Sequence, residues 1–312
     1  MSFSGEVKEE LSAVLSPSRH CQIAELAAMV CYGGRLEAGE TGHIRLIVQT
    51  ENEKVIRKGF TLLQKSFNIC TGVIGSGPYT LQVEEEASVR RLFQTLKLSG
   101  QYPMADGRIE AVNPLLIKNA CCRRAFLRGA FLVTGSMSDP EKSYHLEFVC
   151  PYEEQALQLQ EIIRDFGMEA RIVMRKNHFI VYMKEGAGIV DLLNVTGAHI
   201  SLMNLENLRI VKEMRNSINR RVNCETANIT KTVNASSKQI EDIMLIQDTQ
   251  GLGTLPDGLR ETALIRLEYP DATLKELGQY LNPPVGKSGV NHRLRKLSEI
   301  AESIRGYKEE TL

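Results

Sequence analysis

The sequence predicts an α+β protein: a duplicated domain of helices and strands over residues 1–217, a basic linker or arm over 218–235, and an all-α domain over 236–312. Three observations predict it. Residues 18–100 and 119–200 repeat one another in pattern. The alternation that marks strands stops near residue 217. The last stretch holds two short helical patterns around a Pro/Gly turn, the second of them basic. The 312 residues carry 38 basic and 38 acidic side chains, with 43% hydrophobic and 24% charged residues. That is ordinary for a globular chain and excludes a mainly disordered or fibrous one. No apolar run reaches the roughly 20 residues that span a bilayer. The first residues show no apolar signal-peptide core, and the seven cysteines include no Cys-x-x-Cys pair. Reduced thiols in a cytoplasmic protein are the expectation.

The repeat begins with two helices. Residues 21–34 align with 122–135, so that Cys21, Ala24, Leu26 and Gly34 meet Cys122, Ala125, Leu127 and Gly135, with Ala28 opposite Gly129. Helices are expected over 18–33 and 119–134, each ending at a glycine, as helix C-termini often do. Their small residues let two backbones approach closely, as a pseudo-twofold pair between two halves. Each half then reads strand, helix, strand, strand, helix. Strand 43–49 alternates His43, Arg45, Ile47 and Gln49 with Ile44, Leu46 and Val48, the period of a half-buried strand. A helix over 52–66, a turn at 75–78 and a strand over 79–85 follow. The second half has a helix over 153–166, strands over 169–175 and 178–183 around Lys176-Asn177, and a helix over 187–195.

From Ser236 the chain reads as helical. Ser236 and Gln239 suggest a capping box before Ile240, and Thr273 with Glu276 a second before Leu277. Asn282-Pro-Pro-Val-Gly286 ends that second helix. A last helix from about Ser288 puts Val290, Leu294, Leu297, Ala301 and Ile304 on one face. This is a helix-turn-helix plan. Zero net charge conceals two basic islands: residues 209–235 hold six basic side chains against two acidic, and 286–296 hold Lys287, Arg293, Arg295 and Lys296 with no acid. Lys287, Ser288, Asn291, His292, Arg293, Arg295 and Lys296 are the candidate DNA contacts on the last helix, with Arg220, Arg221 and Lys231 on the arm. Asn can pair with adenine, Arg with guanine, and Lys with phosphate.

Other chemistry finds little support. Adjacent Cys121 and Cys122 have no spaced second pair, so buried thiols are expected and no metal site. The six histidines show no ligand spacing, and Gly286-Lys-Ser288 lacks the upstream glycine of a phosphate-binding loop. No cofactor is expected.

Leu127-Arg-Gly-Ala-Phe-Leu-Val-Thr-Gly135 resembles the nine-residue LAGLIDADG motif of homing endonucleases, and Leu26-Ala-Ala-Met-Val-Cys-Tyr-Gly-Gly34 is a weaker copy. The resemblance implies two pseudo-twofold αββαββα-like halves whose motif helices form the interface. It also implies that the last acid of each motif binds the catalytic divalent metal. Those positions here hold Gly33 and Thr134, neither a charged oxygen ligand for such an ion. Asp139 falls past the end of its helix, and Glu25 lies mid-helix, more than two turns from the required point. A nuclease fold without catalytic residues is the expectation. The DNA-facing sheet of such a fold would carry His43, Arg45, Gln49, Gln82, Glu84, His145, Glu147, Arg171 and Arg175, whose mixed signs suit DNA poorly.

The whole pattern resembles the WhiA family of Gram-positive bacterial regulators. It includes the opening Ser-Phe-Ser-Gly-Glu-Val-Lys-Glu-Glu-Leu11, the arm Asn219–Lys231, and Thr273–Gly278 leading into Ser288–Arg295. The resemblance implies a sequence-specific transcription regulator of cell division and chromosome segregation, and of sporulation in some lineages. It would act on double-stranded promoter DNA at the nucleoid, with another transcription regulator or RNA polymerase as protein partner, and without a membrane or small-molecule substrate. Two other readings compete: an active or altered metal-dependent endonuclease, and an interaction scaffold with incidental DNA contact.

Overall fold

The computed structural model describes residues 2–38, 44–98, 109 and 111–309. The chain divides into two compact units, Met1–Lys212 and Glu213–Leu312.

In the first unit α1 (Phe3–Ala13) starts at Ser2, whose side chain accepts from the Gly5 N–H. One half then runs α2 (Arg19–Gly33), β1 (Gly34–Ala38), β2 (Ile44–Thr50), α3 (Glu53–Phe67), β3 (Val73–Ile74), β4 (Tyr79–Val83) and α4 (Glu86–Leu96). The other runs α5 (Ala120–Thr134), β5 (Gly135–Met137), β6 (Leu146–Cys150), α6 (Glu153–Asp165), β7 (Arg171–Arg175), β8 (His178–Met183) and α7 (Gly186–Thr196). The two antiparallel sheets have matching orders, β1-β2-β4-β3 and β5-β6-β8-β7. Their registers match too: Leu46 faces Val83 and Val48 faces Leu81, as Leu146 faces Met183 and Phe148 faces Val181. These eight residues are all buried, one strand face closing on the helices. The α+β duplication expected from the repeat is present.

Each half contains one strand more than its alternation suggested, directly after the opening helix. Gly34 and Gly135 end α2 and α5 and also begin β1 and β5. Their φ values, −96° and −71°, are ordinary, so left-handed freedom is not why glycine stands there. A Cβ would lie 2.4 Å from the Val30 carbonyl oxygen at Gly34, and 2.6 Å from that of Phe131 at Gly135. The chain reverses from helix into strand too sharply for a side chain. His43 lies outside the described residues.

Helices α2 and α5 form the centre. Ala24, Ala27, Ala28, Ala125 and Ala130 are fully buried or nearly so. A Cβ on Gly129 would sit 2.3 Å from the Glu25 carbonyl oxygen and 3.0 Å from the Ala28 Cβ. Beside this crossing Glu25 is fully buried. It accepts from Arg128 Nε and Nη2, both at 2.9 Å, and from Lys58 Nζ at 2.5 Å. Arg128 also donates to the Thr196 carbonyl, and Lys58 to those of Leu11 and Val14. One carboxylate thus ties together α2, α3, α5 and the ends of α1 and α7.

Helix α8 (His199–Thr249) is continuous, so the stretch 218–235, expected as a linker or partly helical arm, is helical throughout. No glycine or proline interrupts the chain between Gly197 and Gly251, so nothing stops a helix. Ser236 is not a cap: its hydroxyl donates to the Pro270 carbonyl from within the helix. The second unit continues with α9 (Asp257–Glu268), α10 (Leu274–Tyr280) and α11 (Lys287–Glu309). Thr273 and Glu276 form the expected capping box. Val290, Leu294, Leu297 and Ala301 of α11 are buried with Ile243, Ile246, Ala263, Leu277 and Leu281.

Candidate nucleic-acid interface

Packing of the apolar stripe decides which side of α11 is free. Lys287, Ser288, Asn291, His292, Arg295 and Lys296 are exposed. Lys287, Asn291 and Arg295 follow at four-residue steps, one row along the helix. Arg293 is a correction. It turns inward, donating to the Gly258 carbonyl at 3.2 Å and to Thr262 Oγ1 at 3.4 Å, and so fastens α11 to α9 rather than facing a duplex.

The turn before α11 is held by Gly278, whose carbonyl accepts from the Val285 N–H at 2.9 Å. A Cβ there would lie 2.1 Å from the Val285 carbonyl oxygen, so the return of the chain onto α10 requires glycine. That return sets where Lys287 begins α11.

A cleft of about 480 Å³ runs beside this start, lined by Lys231, Ser236, Arg266, Lys275, Lys287 and Asn291 among others. Lys231 of the former linker thereby joins Lys287 and Asn291. Lys275, on α10, was missed by the charge count because Glu276 follows it; Glu276 is occupied by the cap, whose hydrogen bonds from Thr273 hold its carboxyl below the usual range. Arg266 is buried and donates to the Pro270 and Ala272 carbonyls, a structural role. Arg220 and Arg221 do not line this cleft. They lie about 15 Å up α8 from Lys231, and Arg221 pairs with Glu225.

In the first unit, the ends of α2 and α5 open on a cleft of about 700 Å³ lined by Lys8, Gly33, Arg35, Gln49, Glu51 and Ser136 among others. Thr134 turns its hydroxyl back to the Ala130 carbonyl. Asp139 accepts from the Glu141 N–H in its own turn, and Glu25 is taken by its ion pairs. Lys8 instead brings an ammonium, lowered by burial to about 8. On the sheet, Glu37 pairs with Arg35 at 2.6 Å and Arg45 at 3.1 Å, and these hydrogen bonds, Arg35's first, hold its carboxyl low. His145 pairs with Glu147. Arg35 and Arg45 are thus occupied by Glu37, while Arg171 and Arg175 on β7 are exposed.

Of the two thiols expected to be buried, Cys122 is buried and Cys121 is exposed. His20, Cys21, Cys121 and Cys122 converge, with their ligating atoms all within 4.8 Å of one another. The missing second pair comes from the other half of the repeat.

No helix among the described residues is long and apolar enough to cross a membrane. Three family models match: a WhiA N-terminal LAGLIDADG-like domain over residues 19–98, a WhiA LAGLIDADG-like domain over 123–215, and a WhiA C-terminal HTH domain over 218–301. A probable cell division protein WhiA of Lachnoclostridium phytofermentans is 53% identical over 98% of this chain and 100% of its own. That of Clostridium acetobutylicum is 46% identical over 98% and 99%. The crystal structure of full-length DUF199/WhiA from Thermatoga maritima has a TM-score of 0.59 at 27% identity, covering 97% of this chain and 99% of that one. The LAGLIDADG-like halves and the C-terminal HTH domain are what these models match, and the chain belongs to the WhiA family.

Proposed function

We propose that the protein is a sequence-specific, double-stranded-DNA-binding transcription regulator acting in cell division and chromosome segregation, and that its endonuclease-like domain does not cut DNA. Its place is on the nucleoid at promoters, with RNA polymerase or a second regulator as protein partner. The observation that carries this reading is the convergence of Lys231, Lys275, Lys287 and Asn291 on one cleft beside a helix whose Asn291 and Arg295 stand in a row. Lysines there neutralise phosphate and fix register, whereas Asn291 and Arg295 read base edges in the major groove.

The test uses the full chain and its single-alanine variants, titrated on a promoter duplex found by genome-wide occupancy and on a scrambled one, at several salt concentrations. Lys231→Ala, Lys275→Ala and Lys287→Ala should weaken both duplexes alike and each lower the salt slope by about one. Asn291→Ala and Arg295→Ala should cost roughly 1–3 kcal/mol on the specific duplex and narrow the gap to the scrambled one. If the latter two lowered both affinities equally, α11 would hold backbone only and the base-reading role would fall.

A further inference from the structure

We propose that His20, Cys21, Cys121 and Cys122 form a structural zinc site, Cys₃His, joining the two halves of the repeat. Nothing in the proposed DNA-binding role uses these residues, and the inference stands apart from it.

The four positions occur in matching places. His20 and Cys21 are the second and third residues of α2, and Cys121 and Cys122 are the second and third residues of α5. The offset that aligns the repeat carries His20 onto Cys121 and Cys21 onto Cys122. The close crossing of α2 and α5 brings both helix starts together, so two adjacent pairs meet as one group of four.

The geometry fits a single ion. His20 Nδ1 lies 3.4 Å from Cys21 Sγ and 3.4 Å from Cys122 Sγ, and all four ligating atoms fall within 4.8 Å. Tetrahedral zinc, with bonds of about 2.3 Å to sulfur and 2.0–2.1 Å to nitrogen, sets its ligand atoms about 3.6–3.8 Å apart. The set needs only small adjustments to close. Three sulfurs and an imidazole with no oxygen donor exclude magnesium and calcium, which take oxygen ligands. Four protein ligands leave no open position, the mark of a structural rather than a catalytic zinc.

The surroundings suit the charge. Three thiolates around a divalent ion leave one net negative charge. Neither Ser18 nor Asn119 caps its helix with a side-chain hydrogen bond, so the positive ends of α2 and α5 both face the site. Arg124 lines the adjoining cleft with Cys21 and Cys121. Cys121 and His20 are exposed while Cys21 and Cys122 are buried, which gives an ion a path in and then a dry inner side.

The experiment is metal analysis of full-length protein, purified reduced and without chelator, by inductively coupled plasma mass spectrometry. One zinc per chain is expected. Replacement by cobalt(II) should give thiolate-to-metal charge transfer in the near ultraviolet and intense tetrahedral ligand-field bands in the visible. Cys21→Ser and Cys122→Ser should lose the metal, and the exposed Cys70→Ser and Cys224→Ser should keep it. His20→Cys should keep it as a four-thiolate site with stronger charge transfer. The wild-type cobalt spectrum needs no variant, so a variant that fails to fold leaves the test intact. Reduced wild-type protein that holds no zinc and gives no thiolate–cobalt absorption overturns the proposal. So does a Cys21–Cys122 disulfide in its place, or zinc that survives Cys21→Ser and leaves with Cys70 or Cys224.

Discussion

Replacing Glu25 by Ala tests whether the carboxylate at the centre of the first unit is a fastening point or a relic. Glu25 is wholly buried, as are nearly all of the Lys58 and Arg128 side chains. Deleting it removes two bonds from the Arg128 guanidinium and the contact to Lys58 Nζ. Both cations keep backbone carbonyls, at Thr196 and at Leu11 and Val14, but none of these carries charge. Breaking one side of a buried ion pair costs about 3–5 kcal/mol because the remaining charge stays buried. For a unit of this size each kcal/mol moves the midpoint by about 2–4 °C. Glu25→Ala should therefore lower the first melting transition of the full chain by about 6–20 °C, followed by far-ultraviolet circular dichroism. Glu25→Gln, which keeps the acceptor and the volume, should fall between. The triple replacement Glu25→Leu, Lys58→Met, Arg128→Met should recover most of the loss, since it buries no uncompensated charge. A Glu25→Ala midpoint within about 3 °C of wild type would refute the assignment.

Three further outcomes follow. Gly278→Ala drives a Cβ to 2.1 Å from the Val285 carbonyl oxygen. It should cost about 1–3 kcal/mol of second-unit stability by crowding and weaken DNA binding with it; Gly286→Ala, with nothing within 4 Å, should do neither, as paired melts and titrations would show. Lys8 has its pKa lowered by burial to about 8, so above that value the unfolded chain holds a proton that the folded one has released, and stability gains from rising pH up to about 10. Lys8→Met should accordingly melt above wild type at pH 7 and lose that advantage as the pH climbs toward 10; an advantage independent of pH would rule out the buried ammonium as its source. Supercoiled plasmid incubated with the protein and magnesium or manganese should stay uncut on a gel, and cleavage that vanished with Asp139→Ala would put a metal where none has been assigned.

Much of this was legible because the chain states it twice. The offset of the repeat predicted matching helices and strands, and the registers Leu46–Val83 and Leu146–Met183 repeat it in space. The buried row Val290, Leu294, Leu297 and Ala301 could be read from spacing alone. What was not legible had two causes, conflicting local signals and contacts between residues far apart. Residues 218–235 read as a linker or only partly helical arm because Asn219, Asn223, Asn228 and Asn234 disfavour a helix. The absence of any glycine or proline was the stronger signal, and Ile218, Val222, Ile229 and Val233 already lie at helical spacing. Arg293 looked like its neighbours in charge, yet it is about 200° around the helix from Arg295, and only the position of α9 shows that its side is taken. The cysteine group was invisible as a motif because each half holds two of its four members.

The ends of α2 and α5 carry Gly33 and Thr134 where the LAGLIDADG motif carries its metal-binding acids. Losing two acids removes ligands but leaves a cleft that could recruit others. Three nearby oxygen donors have other engagements: Thr134 bonds within its helix, Asp139 within its turn, and Glu25 with two cations, while Glu51 lines the cleft with an exposed carboxylate. Lys8 further brings an ammonium to the same cleft. A divalent ion entering would meet the Lys8 ammonium as well as the single carboxylate of Glu51, and in a partly buried site the repulsion is poorly screened. Restoring one acid, at Gly33 or Thr134, therefore leaves the electrostatics unfavourable while Lys8 stays. Glu25, Lys58 and Arg128 meanwhile tie α2, α3 and α5 together whatever the motif ends carry.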